Sequence, residues 1–458
     1  MAKLSSSVPR LALSVRGALR PIQRNHARCF SAATRYRTDG VYRELTAMRT
    51  RTPFIEAFRK QQEDANGSKP VSTEKVERDR SPKTMSDSFH RVILPLARDP
   101  WLLDSYITSS GHIRLGTIFM DLDALAGVVA YKHTGPSVMT VTAAVDRITL
   151  RRPLSQICDL ELSGKVTFAT GRSSMEVSLQ VAKAPEEGKP VEDSDILMTC
   201  AFTMVSLDPA TRKPVSISPL ITRTPEEKKL FQEGEANYNL KKAESKKALR
   251  KQAPNDEESD LIHTLWLKQT DYHDPNTSAR KPDNALWMGS TQIQSVMIMQ
   301  PQYRNRHNFM IFGGFLLKST FELAFTCASA ISHSRPTFIA LDPSTFENPV
   351  PVGSVLYLTA TVAYTDSPIV SSGDGDAKVS PEGSTRIQVR VDSKIRDVAH
   401  GETKPTGQFN YTFEVKKDIK IIPESYDQFM MYLDARRRSH RANASLAGSG
   451  SKIESVME

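Results

Sequence analysis

Cysteine is scarce in this sequence of 458 residues, which contains four cysteines, Cys29, Cys158, Cys200 and Cys327. No two of them form the CxxC pair that is typical of zinc sites, and their wide spacing gives no disulfide framework. The three that follow residue 38 lie in apolar runs, where a reduced cysteine is usually buried. The sequence therefore predicts neither a structural metal nor a fold that depends on disulfides.

Several motifs of nucleophilic, metal-dependent and phosphate-binding enzymes are absent as well. The sequence has no GxSxG, no HExxH, no GxGxxG before a helix and no P-loop. Chemistry in such a chain would need a positioned carboxylate or amide that activates water, with helix N-terminal N–H groups as an oxyanion hole. We expect no metal and no cofactor.

Acidic residues are missing from the first 38 residues, which carry eight basic residues and are rich in Ser and Ala. The formal net charge is +9, so nearly all of the excess lies in this segment and nucleic-acid binding is not expected. The pattern is typical of a mitochondrial transit peptide, with a disordered basic arm as the alternative. We therefore predict a mitochondrial matrix protein.

Long hydrophobic runs are few, and the most apolar one, residues 308–331, carries Lys318 and Glu322. A segment of this kind, apolar on nearly every side but interrupted by charge, predicts a buried helix and not a membrane span. Two glycines, Gly313 and Gly314, stand at its start, where free N–H groups favour an oxygen that carries negative charge. A similar helix is predicted over Leu115–His133.

Each of these two helices precedes a series of alternating, strand-like runs, which predicts an α+β fold with antiparallel sheets. The spacing from Asp146 to Pro153 equals that from Asp342 to Pro349, seven residues in each case. The chain is thus interpreted as two copies of one unit. The predicted boundaries are a transit peptide at 1–38, a linker at 39–85, units at 86–220 and 287–423, a charged helical connector at 221–286, and a C-terminal helix with a disordered tail at 424–458.

The residues that could act chemically are few. Asp121 and Asp123 lie two apart on the first long helix, so their side chains point in different directions and at least one is buried. Each is either paired for structural reasons or functional. His307, in the loop before the second helix, is interpreted more readily as a loop histidine than as a base.

Six segments together carry a resemblance to a known family over roughly residues 90–440. They are LDALAG, VTAAVDRI, TFATGRSSMEV, TPEEKKLFQEGEANY, RNRHNFMIFGGFLLKSTFELAF and PESYDQFMMYLD. The chain resembles the double-hotdog acyl-coenzyme A thioesterases, most closely the mitochondrial type. The resemblance implies two tandem hotdog domains, each an antiparallel sheet wrapped around a long central helix. It also implies hydrolysis of fatty acyl-CoA to a free acid and CoASH, in a homo-oligomer that is a trimer of such chains.

The family's site residues fall on particular positions of this sequence. The resemblance implies that Asp123 and Asn308 are catalytic, with Asn305 as the alternative loop amide, and that Gly313 and Gly314 hold the substrate carbonyl. It further implies that Arg172, Ser173 and Ser174 contact CoA; a turn arginine is the alternative for Arg172. In the other copy, Leu115 replaces the first motif glycine and Phe321 takes the position of Asp123, so one competent site per chain is expected.

Two other functions remain open. A hotdog dehydratase acting on acyl thioesters would require a catalytic Asp–His pair, for which His307 and His112 are available. A non-catalytic paralogue would bind acyl-CoA and leave it intact. Measured release of CoASH separates these three functions. The residues do not fix the preferred acyl chain length.

Overall fold

The computed structural model describes residues 44–45, 52–66, 80–152, 156–186, 189–209, 211–247, 249, 251–370 and 383–454. The predicted transit peptide, residues 1–38, lies outside these ranges, as do residues 67–79 of the predicted linker. Across the ranges that are described, no helix is long and apolar enough to cross a membrane. The helices and strands belong to one compact unit, Thr38–Glu458.

The helices of the described residues are α1 (Phe54–Asn66), α2 (Met85–Ser88), α3 (Pro100–Leu103), α4 (Leu115–Thr134), α5 (Pro225–Lys247), α6 (Asp256–His273), α7 (Gly313–Ser332) and α8 (Tyr426–Glu454). The two long apolar helices, α4 and α7, are the ones that the sequence predicts. Both are buried on most sides, as expected for helices without a polar face.

The strands are β1 (Lys83–Thr84), β2 (His90–Leu94), β3 (Met139–Val145), β4 (Ile148–Leu150), β5 (Leu160–Ala169), β6 (Ser174–Lys183), β7 (Ile196–Leu207), β8 (Leu220–Ile221), β9 (Ala285–Trp287), β10 (Ile293–Ile298), β11 (Thr337–Leu341), β12 (Ser344–Thr345), β13 (Val355–Thr365), β14 (Thr385–Arg396), β15 (Thr403–Val415) and β16 (Lys420–Ile422). Strand β7, for example, alternates buried and partly exposed residues, which is the period-two pattern of a sheet with one face on a core.

Twelve of these strands form one antiparallel sheet, whose order is the same in the two halves of the chain. The first half runs β4-β7-β6-β5-β2 and the second runs β11-β15-β14-β13-β10. The halves join where β4 pairs with β11, with Ile148 opposite Leu341, and where β3 pairs with β12. The expected mixture of long helices and antiparallel sheet is therefore confirmed.

The helices α4 and α7 pack side by side in opposite directions. A side-chain carbon at Gly116, early in α4, would lie 3.3 Å from Phe321 in the middle of α7. A side-chain carbon at Gly313, the first residue of α7, would lie 3.1 Å from Asp123 in the middle of α4. The N-terminus of α7 is thereby brought against the centre of α4, although the two segments are far apart in sequence.

A helix follows each half and is tied to the aspartate of the repeated motif. Lys241 of α5 places its ammonium 2.7 Å from Asp146, and Arg438 of α8 places its guanidinium 3.5 Å from Asp342. The charged run of α5 is predicted to be a solvated face, and most of it is exposed. Lys241 is less exposed, because it reaches a largely buried carboxylate.

The structure differs from the sequence-based expectation at two elements. Residues 90–94, which precede the first long helix, form the edge strand β2, whereas the strands predicted for the first unit all follow that helix. The C-terminal helix continues to Glu454, whereas a disordered tail is predicted there. Ala442, Ala444 and Ala447 have high helix propensity and favour the longer helix, whereas Gly448 and Gly450 oppose it.

Candidate active site

Asp123 is buried, with 2% of its surface exposed, at the point where α4 meets the start of α7. One carboxylate oxygen accepts a hydrogen bond of 2.6 Å from the hydroxyl of Thr142 in β3. The other accepts a hydrogen bond of 2.6 Å from the backbone N–H of Gly314. A carboxylate at a helix N-terminus is stabilised by the helix dipole and by N–H groups that have no acceptor within the helix.

Asp121, two residues earlier, faces in another direction. Its carboxylate accepts a hydrogen bond from the hydroxyl of Tyr106, and both residues are fully buried. The sequence-based expectation that the two aspartates diverge and that at least one is buried is confirmed. The side chain of Asp121 is packed between α4 and the segment that precedes it, whereas the side chain of Asp123 lines a cavity.

That cavity has a volume of about 880 Å³ and extends between α4, β3, β7 and the loop before α7. The apolar part of its lining includes Leu45, Ala124, Val128, Met139, Met204 and Leu316, and the charged or titratable part includes His90, Lys132, Arg212, Arg306, His307 and Glu347. Such a mixture of a largely apolar wall with a few polar groups is typical of small-molecule sites.

The loop before α7 carries both candidate amides, and the structure separates them. Asn305 lines the cavity, and its side-chain oxygen accepts a hydrogen bond of 2.9 Å from the N–H of His307. Asn308 has a left-handed backbone with φ of 64°, which asparagine tolerates better than most residues. Its side chain contacts Arg304 at 3.4 Å and Thr52 at 3.5 Å. Among the described residues, Asn308 is not part of the cavity wall.

His307 forms a hydrogen-bonded chain with the second half of α4. Its Nε2 lies 3.0 Å from the hydroxyl of Tyr131, which in turn accepts the N–H of Thr140 at 3.1 Å. Burial, assisted by the nearby charge of Arg306, lowers the pKa of His307 to about 4. At neutral pH the ring is therefore uncharged, and Nε2 can accept a hydrogen bond from the hydroxyl of Tyr131.

Arg172, Ser173 and Ser174 lie beside the cavity, where the turn after β5 leads into β6. Ser174 is opposite Val205 in the sheet, and the carbonyl of Ser173 accepts the N–H of Ser206 at 2.8 Å. Val205 belongs to the cavity lining, whereas the three predicted CoA-binding residues do not. The contact of Arg172, Ser173 and Ser174 with CoA stays a prediction.

At the start of α4, which corresponds to the start of α7, an ion pair and an aromatic contact stand where Asp123 stands in the site described above. Arg114, which precedes α4, places its guanidinium 2.7 Å from Glu322 of α7. Phe321, at the position that matches Asp123, packs edge to face against Phe119, with 5.1 Å between ring centroids. The carboxylate of Glu322 lies against the start of α4, 3.4 Å from where a side-chain carbon at Gly116 would stand. One competent site per chain stays a prediction.

Three residues of this region were not singled out from the sequence. Thr142 is one of several alternating residues in β3, and its position within the strand gives no hint of its contact with Asp123. Tyr131 and Leu45 reach the cavity from the end of α4 and from the segment before the first half. Across the ranges that are described, no group of three or more His, Cys, Asp or Glu residues could hold a metal ion.

Comparison with known proteins gives clear relatives. No protein-family model matches the chain. The chain is 35% identical to human "Acyl-coenzyme A thioesterase 9, mitochondrial" over 366 residues, which are 78% of each chain. It is likewise 35% identical to mouse "Acyl-coenzyme A thioesterase 10, mitochondrial", with 78% of each chain covered. Among solved structures, an acyl-CoA hydrolase from Staphylococcus aureus is similar, with 22% identity, 38% of this chain and 99% of that chain covered, and a TM-score of 0.31.

Proposed function

Because the chain belongs to the family of mitochondrial acyl-coenzyme A thioesterases, we propose that the cavity beside Asp123 is where its thioester substrate is hydrolysed. The protein is a mitochondrial acyl-CoA hydrolase, which converts an acyl-CoA and water to a free acid and CoASH. The observation that supports this site is the meeting of a buried carboxylate with the N-terminus of a second helix at a cavity of about 880 Å³.

Asp123 is proposed as the general base. Its carboxylate accepts hydrogen bonds from Thr142 and Gly314, which orient it at the cavity, and a carboxylate in this position can accept a proton from water. The deprotonated water attacks the thioester carbon, and the carbonyl becomes an oxyanion. The C–S bond then breaks, and Asp123 returns the proton to the CoA thiolate.

Gly313 is proposed to stabilise the oxyanion through its backbone N–H. It is the first residue of α7, where an N–H group has no acceptor within the helix. The N–H of Gly314 is donated to Asp123 in this structure, so this residue is assigned to holding the base. A preorganised donor at a developing oxyanion contributes about 10²- to 10³-fold to kcat.

The loop amide is proposed to orient water or the carbonyl, and the cavity lining favours Asn305 over Asn308. The comparison of Asn305→Ala with Asn308→Ala tests this choice. A loss of kcat in the first variant and not in the second supports Asn305. The opposite result would return the role to Asn308.

The remaining parts of the proposal concern the substrate and the assembly. We propose that the chain consists of two tandem hotdog domains and forms a trimer, and that the acyl moiety is a fatty acyl chain. The CoA moiety is proposed to leave the cavity past Val205 and to contact Arg172, Ser173 and Ser174 at the adjacent turn. Light scattering of the purified protein tests the trimer, and KM for acyl-CoA in Arg172→Ala tests the CoA contact.

The decisive experiment is CoASH release from acyl-CoA by the wild type, Asp123→Asn and Asp121→Asn. The Asp121 variant is a matched control, because it is a buried carboxylate on the same helix that faces away from the cavity. We expect a loss of about 10²- to 10⁴-fold in kcat for Asp123→Asn, as for removal of a general base. Equal activity of the two variants would refute the assignment. A dehydratase would alter the acyl chain without releasing CoASH, and a binding paralogue would do neither.

A further inference from the structure

The loop before α7 is a short hairpin, and Asn305 stands where its stem meets its tip. The N–H of Asn305 donates to the carbonyl of Met310 at 2.7 Å, and the N–H of Phe312 donates to the carbonyl of Tyr303 at 2.9 Å. These two bonds close the stem. Across the tip, the carbonyl of Asn305 accepts the N–H of Asn308 at 3.2 Å. The backbone of Asn305 is thereby held, and the direction of its side chain depends on the tip.

The side chain of Asn305 is oriented by the backbone of His307. Its amide accepts the N–H of His307 at 2.9 Å, and because that partner is a donor, the accepting atom must be the amide oxygen. The NH2 group of the amide is left to donate to a ligand in the cavity, which Asn305 lines. The place of this NH2 group therefore follows the place of His307.

Two consecutive residues of the tip contact one tyrosine of α4. The guanidinium carbon of Arg306 lies 4.2 Å from the centroid of the Tyr131 ring, which is the geometry of a cation–π contact. The Nε2 atom of His307 lies 3.0 Å from the hydroxyl of Tyr131. This hydroxyl also accepts the N–H of Thr140 at 3.1 Å, so its own proton can be donated to Nε2. Tyr131 thus contacts the tip through both its ring face and its hydroxyl.

Tyr131 and the proposed base are held by the same two elements. Asp123 and Tyr131 both belong to α4 and line the cavity, about 12 Å apart along the helix axis. Strand β3 contacts each of them, because the hydroxyl of Thr142 donates to Asp123 and the N–H of Thr140 donates to Tyr131. The loop belongs to the second half of the chain, whereas α4 and β3 belong to the first. The contact between His307 and Tyr131 therefore ties the amide from one half to the base from the other.

We propose that Tyr131 is a positioning residue, which acts through His307 to hold the amide of Asn305 in a fixed place relative to Asp123. This inference rests on the proposed function of the cavity and on the role proposed there for Asn305. Tyr131 transfers no proton in this scheme and does not touch the reacting atoms. An amide that is not held would occupy the productive position for only part of the time, so loss of the contact lowers kcat.

The test measures kcat and KM for CoASH release in the wild type, Tyr131→Phe and Tyr303→Phe. Tyr131→Phe keeps the ring beside Arg306 and removes only the hydroxyl that contacts His307. Loss of this hydrogen bond should lower kcat by about 2- to 10-fold and leave KM unchanged. Tyr303→Phe is the matched control, because it makes the same chemical change in the stem of the loop. Its ring stacks on Phe315 with 4.0 Å between centroids, and both constants should stay at the wild-type values.

A second set of variants shows through which residue Tyr131 acts. If Tyr131 positions the amide of Asn305, Tyr131→Phe should have no further effect on kcat once Asn305→Ala has removed that amide. From the side of the loop, His307→Gln keeps an acceptor for the hydroxyl of Tyr131, whereas His307→Leu does not. The Gln variant should therefore retain a higher kcat than the Leu variant.

A wild-type kcat in Tyr131→Phe would overturn the inference. An equal loss of kcat in the presence and in the absence of the Asn305 amide would overturn it as well, because that result indicates a general effect on the fold. A change confined to KM would mean that Tyr131 contacts the substrate instead. Failure of the proposed function is distinct from these outcomes, since the wild type would then release no CoASH, or Asn305→Ala alone would retain its kcat. Both of these results are read without any change at Tyr131.

Discussion

Replacement of Gly314 by alanine should disrupt the contact between the two central helices. A side-chain carbon at this position would lie 2.8 Å from the backbone oxygen of Met120 and 2.7 Å from the ring of Phe312. The backbone oxygen belongs to a buried helix and cannot move aside as a flexible side chain can. Overpacking of this kind costs about 1–3 kcal/mol.

The same displacement would lengthen the hydrogen bond from the N–H of Gly314 to Asp123. A hydrogen bond to a charged group contributes about 1.5–3 kcal/mol. We therefore expect Gly314→Ala to lower the free energy of unfolding by about 1.5–5 kcal/mol, after allowing about 1 kcal/mol for the higher helix propensity of alanine. The melting temperature should fall by several degrees, and CoASH release should fall with it.

Two other glycines of the same helix pair serve as controls. Gly127→Ala, on α4, meets nothing within 4 Å and should leave the melting temperature unchanged or raise it. Gly313→Ala would place a carbon 3.1 Å from Asp123, so it should reduce kcat more than it reduces stability. Thermal unfolding and CoASH release, measured on all three variants, distinguish these effects. A Gly314→Ala variant with wild-type stability and activity would refute the reasoning.

Three further predictions concern charged groups. The pKa of His307 is lowered to about 4 in the folded chain from about 6.5 in the unfolded chain. Between these pH values the unfolded chain binds more protons, so the free energy of unfolding should fall as the pH decreases from about 6.5 to about 4. A His307→Gln variant should show a smaller decrease in melting temperature over the same pH range. Lys241→Met leaves the largely buried Asp146 without its cation and should lower the free energy of unfolding by about 1–3 kcal/mol, measured by chemical denaturation. The control Arg151→Ala removes an exposed ion pair and should change this free energy by about 0.5 kcal/mol or less. Glu322 forms a partly buried ion pair with Arg114 at the start of α4, where we propose that no competent site exists, so Glu322→Gln should leave kcat within about twofold of the wild type in the CoASH assay. A large loss would indicate a second active site.

The helices that position the site could be predicted from the sequence, because their pattern is local. The run that begins at Gly313 is apolar on nearly all sides, and α7 begins at that residue. The strand β2 could not be predicted from the local pattern, because it has five residues and is followed directly by Pro95. Its pairing with β5 is a tertiary contact that a short segment does not reveal.

The site itself could be predicted only in part. Asp123 and Gly314 are separated by 191 residues, and periodicity alone gives no measure of their distance. The resemblance to a family supplied this pairing, but it did not indicate that the N–H of Gly314 would be donated to the carboxylate. Leu45 lies in a polar region that carries no repeating pattern, so its burial depends wholly on the tertiary structure.

The junction of β4 and β11 has a consequence for any chain that is divided between the two halves. In the intact chain, Ile148 and Thr149 pair with Leu341 and Ala340, so this edge of each half is covered by the other. Separation would expose unpaired N–H and C=O groups, together with the apolar surface of a central helix. An isolated half should therefore associate with a second copy of itself, or aggregate, instead of remaining a stable monomer.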